Sequence, residues 1–391
     1  MTEFGHGWLP EWGFDPAVIY LNHGTVGAPP RRVLAVQQQI RDQIERQPSK
    51  GLLRDLASMV GVPYEEPGMI RRAAAEVAAF VGAGSDDLVF VDNVSAGINA
   101  VLRSIDLRQG DEIVTTDHAY GAVTNAARFV ARERGAALRI VAVPYPPFDE
   151  AAFVERIEAA LTARTRLVVV EHIAAESALI MPVQRIAAVC RAREVPVLVD
   201  GAHVPGALDL DIPALGVDYY AANLHKWAHA PRSCGFLWAT PARQSGLHPT
   251  VISWGLDQGF TREFDWVGTK DPTPWLAAPA GIAFLRELGA PARRYRHDLT
   301  WRAAQMLTDR WQTTLPCEER HVGTMVTIPA PERLGDTGAH AARVRDALLF
   351  EHHIEVQVHA AYNRCWVRLC AQIYNEDQDI EKLAAAVEKI A

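Results

Sequence analysis

Thiols are scarce in this chain: its 391 residues include five cysteines, at positions 190, 234, 317, 365 and 370. They are odd in number, scattered and without a CxxC pair, which argues against a disulfide framework or a zinc ribbon. A reduced, cytoplasmic setting with mostly buried thiols is the expectation. Basic charge is not in excess either. Lys and Arg number 39 against 47 Asp and Glu, for a net charge of −8 and a pI near 6.0. No basic stripe with interleaved aromatics offsets this, so neither nucleic acid nor an acidic membrane is an expected partner. No apolar run approaches the roughly 18 residues that span a bilayer. The opening Met-Thr-Glu-Phe-Gly-His-Gly-Trp lacks the basic and apolar regions of a secretory signal. Metal-ligand spacing is missing too: His352 and His353 are adjacent, not helix-spaced, and no cysteine pair lies near them. No metal is expected.

What is present is an ordinary globular composition, 49% hydrophobic and 22% charged. Short β-branched runs alternate with helical patterns. Strand candidates are Leu88–Val91, Glu112–Thr115, Leu138–Val143, Leu167–Glu171, Val195–Asp200, Val217–Ala222 and Gly235–Ala239. Between them the spacing predicts helices such as Ile70–Val81, Ser95–Ser104, Val123–Glu133, Glu150–Leu161 and Val183–Arg193. That alternation implies an α/β fold, with a mostly parallel seven-stranded sheet covered by helices on both faces. The expected organisation is an N-terminal arm (1–20), a large domain (21–260), an irregular loop rich in Pro, Gly and Trp (261–280) and a smaller α+β domain (281–391). The last holds a long helix in two parts, Gly281–Leu288 and Tyr295–Trp311, and strands near Gly323–Ile328, Glu355–His359 and Trp366–Leu369.

The stretch from Leu198 to Lys226 is the most informative. One apolar run delivers Asp200 to its carboxyl end, in Leu-Val-Asp-Gly-Ala-His. A second leads into Asn-Leu-His-Lys, ending on His225 and Lys226. In parallel sheets ligands gather outside the carboxyl ends of strands. An acid and a lysine presented there are what a pyridoxal phosphate enzyme needs. The lysine forms a Schiff base with the aldehyde, and the carboxylate keeps the pyridine nitrogen protonated so that the ring withdraws electrons. Asp92-Asn93-Val94-Ser95 follows another strand and opens a helix, a place suited to a phosphate dianion. Taken singly, each motif has a bland alternative: a turn, a solvated lysine, a plain N-cap.

In combination and in order, these motifs resemble the class V aminotransferase family of pyridoxal phosphate enzymes, which has fold type I, and in particular its isopenicillin N epimerase-like branch. The resemblance covers nearly the whole chain and implies roles for single residues. Lys226 and Asp200 would be catalytic, with His203 at the phenolic oxygen of the cofactor. His225, Asn223, Val94 and Ser95 would hold the phosphate. Asn223 stands where Ser is usual, and Ser95 where Thr is usual. His118, in Asp117-His118-Ala119-Tyr120, is the candidate ring platform, with Tyr120 as the alternative. Trp266-Val267-Gly268-Thr269-Lys270-Asp271 resembles a segment whose Thr reaches the phosphate of a neighbouring subunit, so Thr269 would make the protein a homodimer with shared sites and residues 261–280 an inter-subunit loop. Arg368, in Trp-Val-Arg-Leu-Cys-Ala-Gln-Ile-Tyr-Asn, would clamp the substrate α-carboxylate. Tyr20-Leu21-Asn22-His23-Gly24-Thr25-Val26-Gly27 resembles the branch's opening. Asn22 and His23 are candidate substrate contacts there or serve the turn, and the glycines let the backbone pass close over the site. Two positions depart from the family: Ala175 stands where Asn or Ser is usual, and Cys370 where Ser is usual.

The implied activity is at the Cα or Cβ of an amino acid bound as an imine, with Lys226 as acid–base. Epimerisation needs a proton donor on the opposite face of Cα. A C–S β-lyase, like that of ergothioneine biosynthesis, needs only a leaving group. Transamination needs reprotonation at the cofactor carbon. Desulfurase chemistry would need a nucleophilic Cys on a mobile loop, and Cys365, three residues before Arg368, reads instead as structural. A non-enzyme alternative is a cofactor-binding relative that has lost catalysis.

Overall fold

The computed structural model describes residues 4–57 and 67–390; residues 1–3 of the arm, 58–66 of the large domain and Ala391 lie outside the described residues. Seven strands form the central sheet: β2 (Leu88–Val91), β3 (Glu112–Thr116), β4 (Ala137–Val141), β5 (Thr165–Glu171), β6 (Val197–Asp200), β7 (Tyr219–Asn223) and β8 (Gly235–Ala239), following a two-residue β1 (Ile19–Tyr20). Their order is β2-β8-β7-β6-β5-β3-β4. The β4-β3-β5-β6-β7 pairs are parallel, and β8 runs antiparallel to both β7 and β2.

Strand alternation sorts the core into two layers. Val168, Val170, Val197, Val199, Tyr220 and Ala222 face one helical layer. Leu167, Val169, Leu198, Tyr219, Ala221 and Leu237 face the other, which contains Ile98, Val101, Val123 and Ala127. Burying each such aliphatic side chain contributes about 1.5–3 kcal/mol relative to exposure. The same period of two continues past the apolar run. It puts Glu171, Asp200 and Asn223 on the face covered by the helix Val94–Ser104.

The second unit is a three-stranded antiparallel sheet of β9 (Met325–Pro329), β11 (Gln357–Ala361) and β12 (Arg364–Cys370), ordered β11-β12-β9. Its core includes Leu307, Val344, Leu348, Val367 and Leu383. The first strand of the chain, β1, pairs in parallel with β10 (Ile354–Glu355), and Leu21 is buried in this second core. The end of the arm therefore packs with the C-terminal unit, although the large domain follows it in sequence.

Most expected elements shift by a residue or two at an end, and two of the differences have a clear cause. β4 stops at Val141, not Val143, because the Val143 N–H leaves the ladder to donate to the Asp117 carboxylate at 2.8 Å. The long helix begins at Ala278 and runs to Trp311, broken only at Gly289, whose φ of 65° and ψ of −165° interrupt it before Pro291. No described helix is long and apolar enough to cross a membrane.

Candidate active site

A cavity of about 390 Å³ opens at the carboxyl ends of the parallel strands. Glu171 ends β5, Asp200 ends β6, Asn223 ends β7, and Val94 and Ser95 begin the helix after β2. Each lines the cavity, together with Tyr120, His203, His225, Lys226, Gln357, His359 and Arg368. Residues spread over 275 positions of sequence thus meet at one sheet edge, from Val94 to Arg368.

Lys226 is recessed at the cavity floor, its Nζ 3.1 Å from His203 Nε2. Burial is the main cause that lowers its pKa to about 8; Arg368 adds to the fall, and Asp200 opposes it. The amine is thereby closer to its neutral, nucleophilic form at physiological pH than an exposed lysine. His203 is held well below the ordinary histidine range, first by burial and then by Lys226. With Nε2 engaged by the ammonium, its Nδ1 is buried and lacks a partner. Asp200 is buried and accepts from the Ala202 N–H at 2.9 Å. Burial raises its pKa, and Lys226 acts in the opposite sense.

The strap over the lysine is fixed by backbone. Gly27 has φ 67°, and a Cβ there would lie 1.8 Å from the His225 carbonyl oxygen and 2.8 Å from Lys226 Cα. No side chain fits. His23 is fully buried and bridges Tyr374 Oη and the Lys226 carbonyl, each at 3.0 Å. Asn22 donates to Glu355 at 2.9 Å and accepts from Thr25 at 2.5 Å. Neither lines the cavity. The structure gives both a scaffolding part, and Gly24 and Thr25 form the wall where contacts from Asn22 and His23 were expected.

The helix start expected to face a phosphate has two of its N–H groups already capped by side chains. Asn93 N-caps the helix through its side chain, accepting from Ala96 N–H at 3.0 Å, and Asn223 Oδ1 accepts from Val94 N–H at 2.9 Å. The Ser95 hydroxyl makes no hydrogen bond among the described residues and faces the cavity. His225 Nδ1 is 2.9 Å from the Cys234 carbonyl, which fixes the proton there and leaves Nε2 free. Burial lowers the His225 pKa to about 4. A neighbouring dianion would raise it again and turn Nε2 into a donor.

Arg368 is buried on β12. It donates to the Ala175 carbonyl, to Thr25 Oγ1 and, at 3.5 Å, to Asn22 Oδ1, while its Nε has no partner. The side chain absent at Ala175 is therefore not the feature that matters for the arginine; the backbone oxygen is. Cys370 is buried two residues on, and its thiol is not part of the cavity wall. Cys365 is also buried, 3.7 Å from the Leu334 carbonyl in the second core.

His118 and Tyr120 separate clearly. Tyr120 is exposed at the cavity wall. His118 is buried behind it, with Nδ1 2.9 Å from Ser177 Oγ and Nε2 2.8 Å from Tyr362 Oη. Thr269 is exposed and does not line this chain's own cavity; its neighbour Lys270 pairs with Asp92 and sits 4.0 Å over the Trp275 ring. Sequence reading missed Glu171, Thr25 and Gln357. The strand-end rule that found Asp200 applies equally to Glu171, and Gln357 is in register opposite Arg368.

These residues fit pyridoxal phosphate: an unpartnered buried imidazole nitrogen, a buried acid and lysine in one cavity, and a helix start with a free hydroxyl. The comparisons with known proteins agree. Residues 67–383 match the family described as Aminotransferase class-V. Isopenicillin N epimerase of Streptomyces clavuligerus is 33% identical over 395 residues, covering 96% of each chain. Putative L-cysteine desulfhydrase 2 of Oryza sativa subsp. japonica is 29% identical over 431 residues, covering 100% of this chain and 86% of its own. The solved cystine C-S lyase C-DES, in complex with its reaction product cysteine persulfide, superposes with a TM-score of 0.78 at 24% identity, covering 95% of this chain and 97% of its own. The apo cysteine desulfurase of Thermococcus onnurineus NA1 gives 0.80 at 19%, covering 100% and 98%. At such identities the likeness is one of fold. The family-wide match and the full-length epimerase relative go further: the chain belongs to the aminotransferase class-V family.

Proposed function

We propose that this chain is a pyridoxal phosphate enzyme that breaks a bond at Cα or Cβ of an amino acid, isopenicillin N epimerase-like in its reaction class. The observation that carries the reading is the meeting of Lys226, His203, Asp200 and Arg368 in one cavity, with Lys226 Nζ 3.1 Å from His203. When bound, pyridoxal phosphate supplies the electron sink for the bond being broken. Lys226 would hold its aldehyde carbon, Asp200 its ring nitrogen and His203 its phenolic oxygen. Ser95, the first turn at Val94, Asn223 and His225 would hold its phosphate. Tyr120 has the better claim to the ring platform, since it lines the cavity and His118 is engaged behind it.

Arg368 binds the substrate carboxylate through the donors left by Ala175 and Thr25, which fixes which bond of Cα stands by Lys226. Lys226, once not bonded to the cofactor, would take or return the proton at Cα. Its pKa of about 8 suits both directions near neutrality. His203 exchanges that proton only over the 3.1 Å contact and, being deeply buried, prefers the neutral state.

The second reading is a C–S β-lyase. The rice desulfhydrase match over the full chain favours it. A persulfide-forming cysteine does not, because none of the five thiols lines the cavity.

Assembly as a homodimer, with Thr269 completing the partner's phosphate site, is supported by the exposure of Thr269. It is also supported by the apolar segment Val251, Ile252, Trp254 and Leu256, in which Trp254 is 78% exposed. A cytoplasmic location fits the unpaired thiols.

Incubating candidate amino acids in deuterated water separates the readings. Cα exchange with inversion supports the epimerase; pyruvate with sulfide supports the lyase. Lys226→Ala should abolish both. Absence of any visible cofactor band after loading, or of any spectral response to amino acids, would overturn the proposal.

A further inference from the structure

Apart from the exposed Glu176, one carboxyl that lines the cavity has no part in the roles above. Glu171 ends β5 directly beside Asp200 at the end of β6; the two are register partners on parallel strands and both line the cavity. Side chains at matched positions of neighbouring strands point to the same face. Glu171 is 1% exposed. Its Oε2 accepts from Thr116 Oγ1 at 2.8 Å, and its Oε1 is buried with no partner. No cation pairs with it among the described residues. The ionisable groups facing it are Asp200 on β6 and Asp117 in the loop after β3, both acidic; His203 and Lys226 lie elsewhere on the cavity wall. Lys226 acts electrostatically on Asp200, lowering its proton affinity.

Two buried carboxyls side by side cannot both ionise cheaply, and the one without a cation keeps the proton. We infer that Glu171 is a positioning residue, a neutral carboxylic acid whose retained proton leaves Asp200 as the single anion of the pair, free to face the ring nitrogen of the cofactor. Burial, with Asp200 and Asp117 reinforcing it, raises the Glu171 pKa to about 8, in line with this assignment. The part played toward the cofactor rests on the pyridoxal phosphate reading. The proton itself does not.

The experiment is difference infrared spectroscopy of the full chain, before and after incubation with pyridoxal phosphate. It follows the carbonyl stretch of a protonated carboxylic acid from about pH 7, where Asp265, raised to about 6 by burial, is already mostly ionised, to about pH 10. Wild type should show the band at neutral pH and lose it near pH 8. Glu171→Gln should lack it throughout. Thr116→Val removes the one side-chain donor that favours the ionised form, so the band should persist to higher pH. Asp200→Asn removes the neighbouring charge, so it should disappear at lower pH; each shift is expected to be about one pH unit. A band that survives in Glu171→Gln, or its absence from wild type at neutral pH, overturns the inference. If the protein takes up no pyridoxal phosphate, the functional reading fails, while the band in the cofactor-free protein still decides the state of Glu171.

Discussion

Replacing Lys226 by Met should stabilise the cofactor-free protein at neutral pH, and by an amount that depends on pH. Burial lowers the lysine from 10.5 to about 8. At about 1.4 kcal/mol per unit, holding the ammonium in the cavity costs the folded state about 3 kcal/mol. Below about pH 8 both the folded and unfolded chains carry the proton, and the penalty is complete. Between about 8 and 10.5 the folded chain has released it while the unfolded chain still binds it, so stability rises with pH. Above that window the penalty is gone. Methionine removes the charge at similar volume, but it also removes the contact to His203 at 3.1 Å, a loss of about 1 kcal/mol. The variant should therefore be more stable than wild type by about 2 kcal/mol at neutral pH, and by nothing, or less than nothing, near pH 10.5. Urea unfolding of both proteins across this range reads the difference directly. A gap that does not change with pH, or a less stable variant at neutral pH, would refute the assignment of Lys226 as a desolvated cation.

Other substitutions test the rest of the site. Gly27→Ala should destabilise the fold by at least about 2 kcal/mol and impair cofactor loading, since the strap has φ 67° and no room against the His225 carbonyl; a thermal melt checks it. Arg368→Lys keeps the charge but loses the planar fork held by Ala175 and Thr25; KM for the amino acid should rise by about tenfold or more while the cofactor band stays in place. Ser95→Ala should weaken cofactor binding, measured by dialysis and reloading, with little change in the melt, because that hydroxyl has no partner among the described residues. Glu171→Gln should flatten a fall in stability between about pH 4.5 and 8: the folded chain there retains a proton that the unfolded chain has released, so stability is lost as pH rises.

Much of this protein is written locally. Runs such as Leu167–Glu171 and Val195–Asp200 read as buried strands, realised as Thr165–Glu171 and Val197–Asp200, and the helical patterns between them favour parallel pairing. Asp200 and Lys226 stand out as an acid and a lysine after apolar runs, His203 and His225 only through the family resemblance, and Val94–Ser95 as a helix start after a strand; all of them line one cavity. Other features exist only once the chain has folded. The arginine rests on the Ala175 carbonyl, an atom every residue has, so no side-chain pattern marks it. His23 serves the Lys226 backbone, 203 residues away, and so leaves the wall to Thr25. The contact of His118 with Tyr362 depends on a hairpin far along the chain. Glu171 becomes an acid with a raised proton affinity because the fold buries it, and register then sets Asp200 beside it; a carboxyl's charge is set by its surroundings in space rather than by its neighbours in sequence.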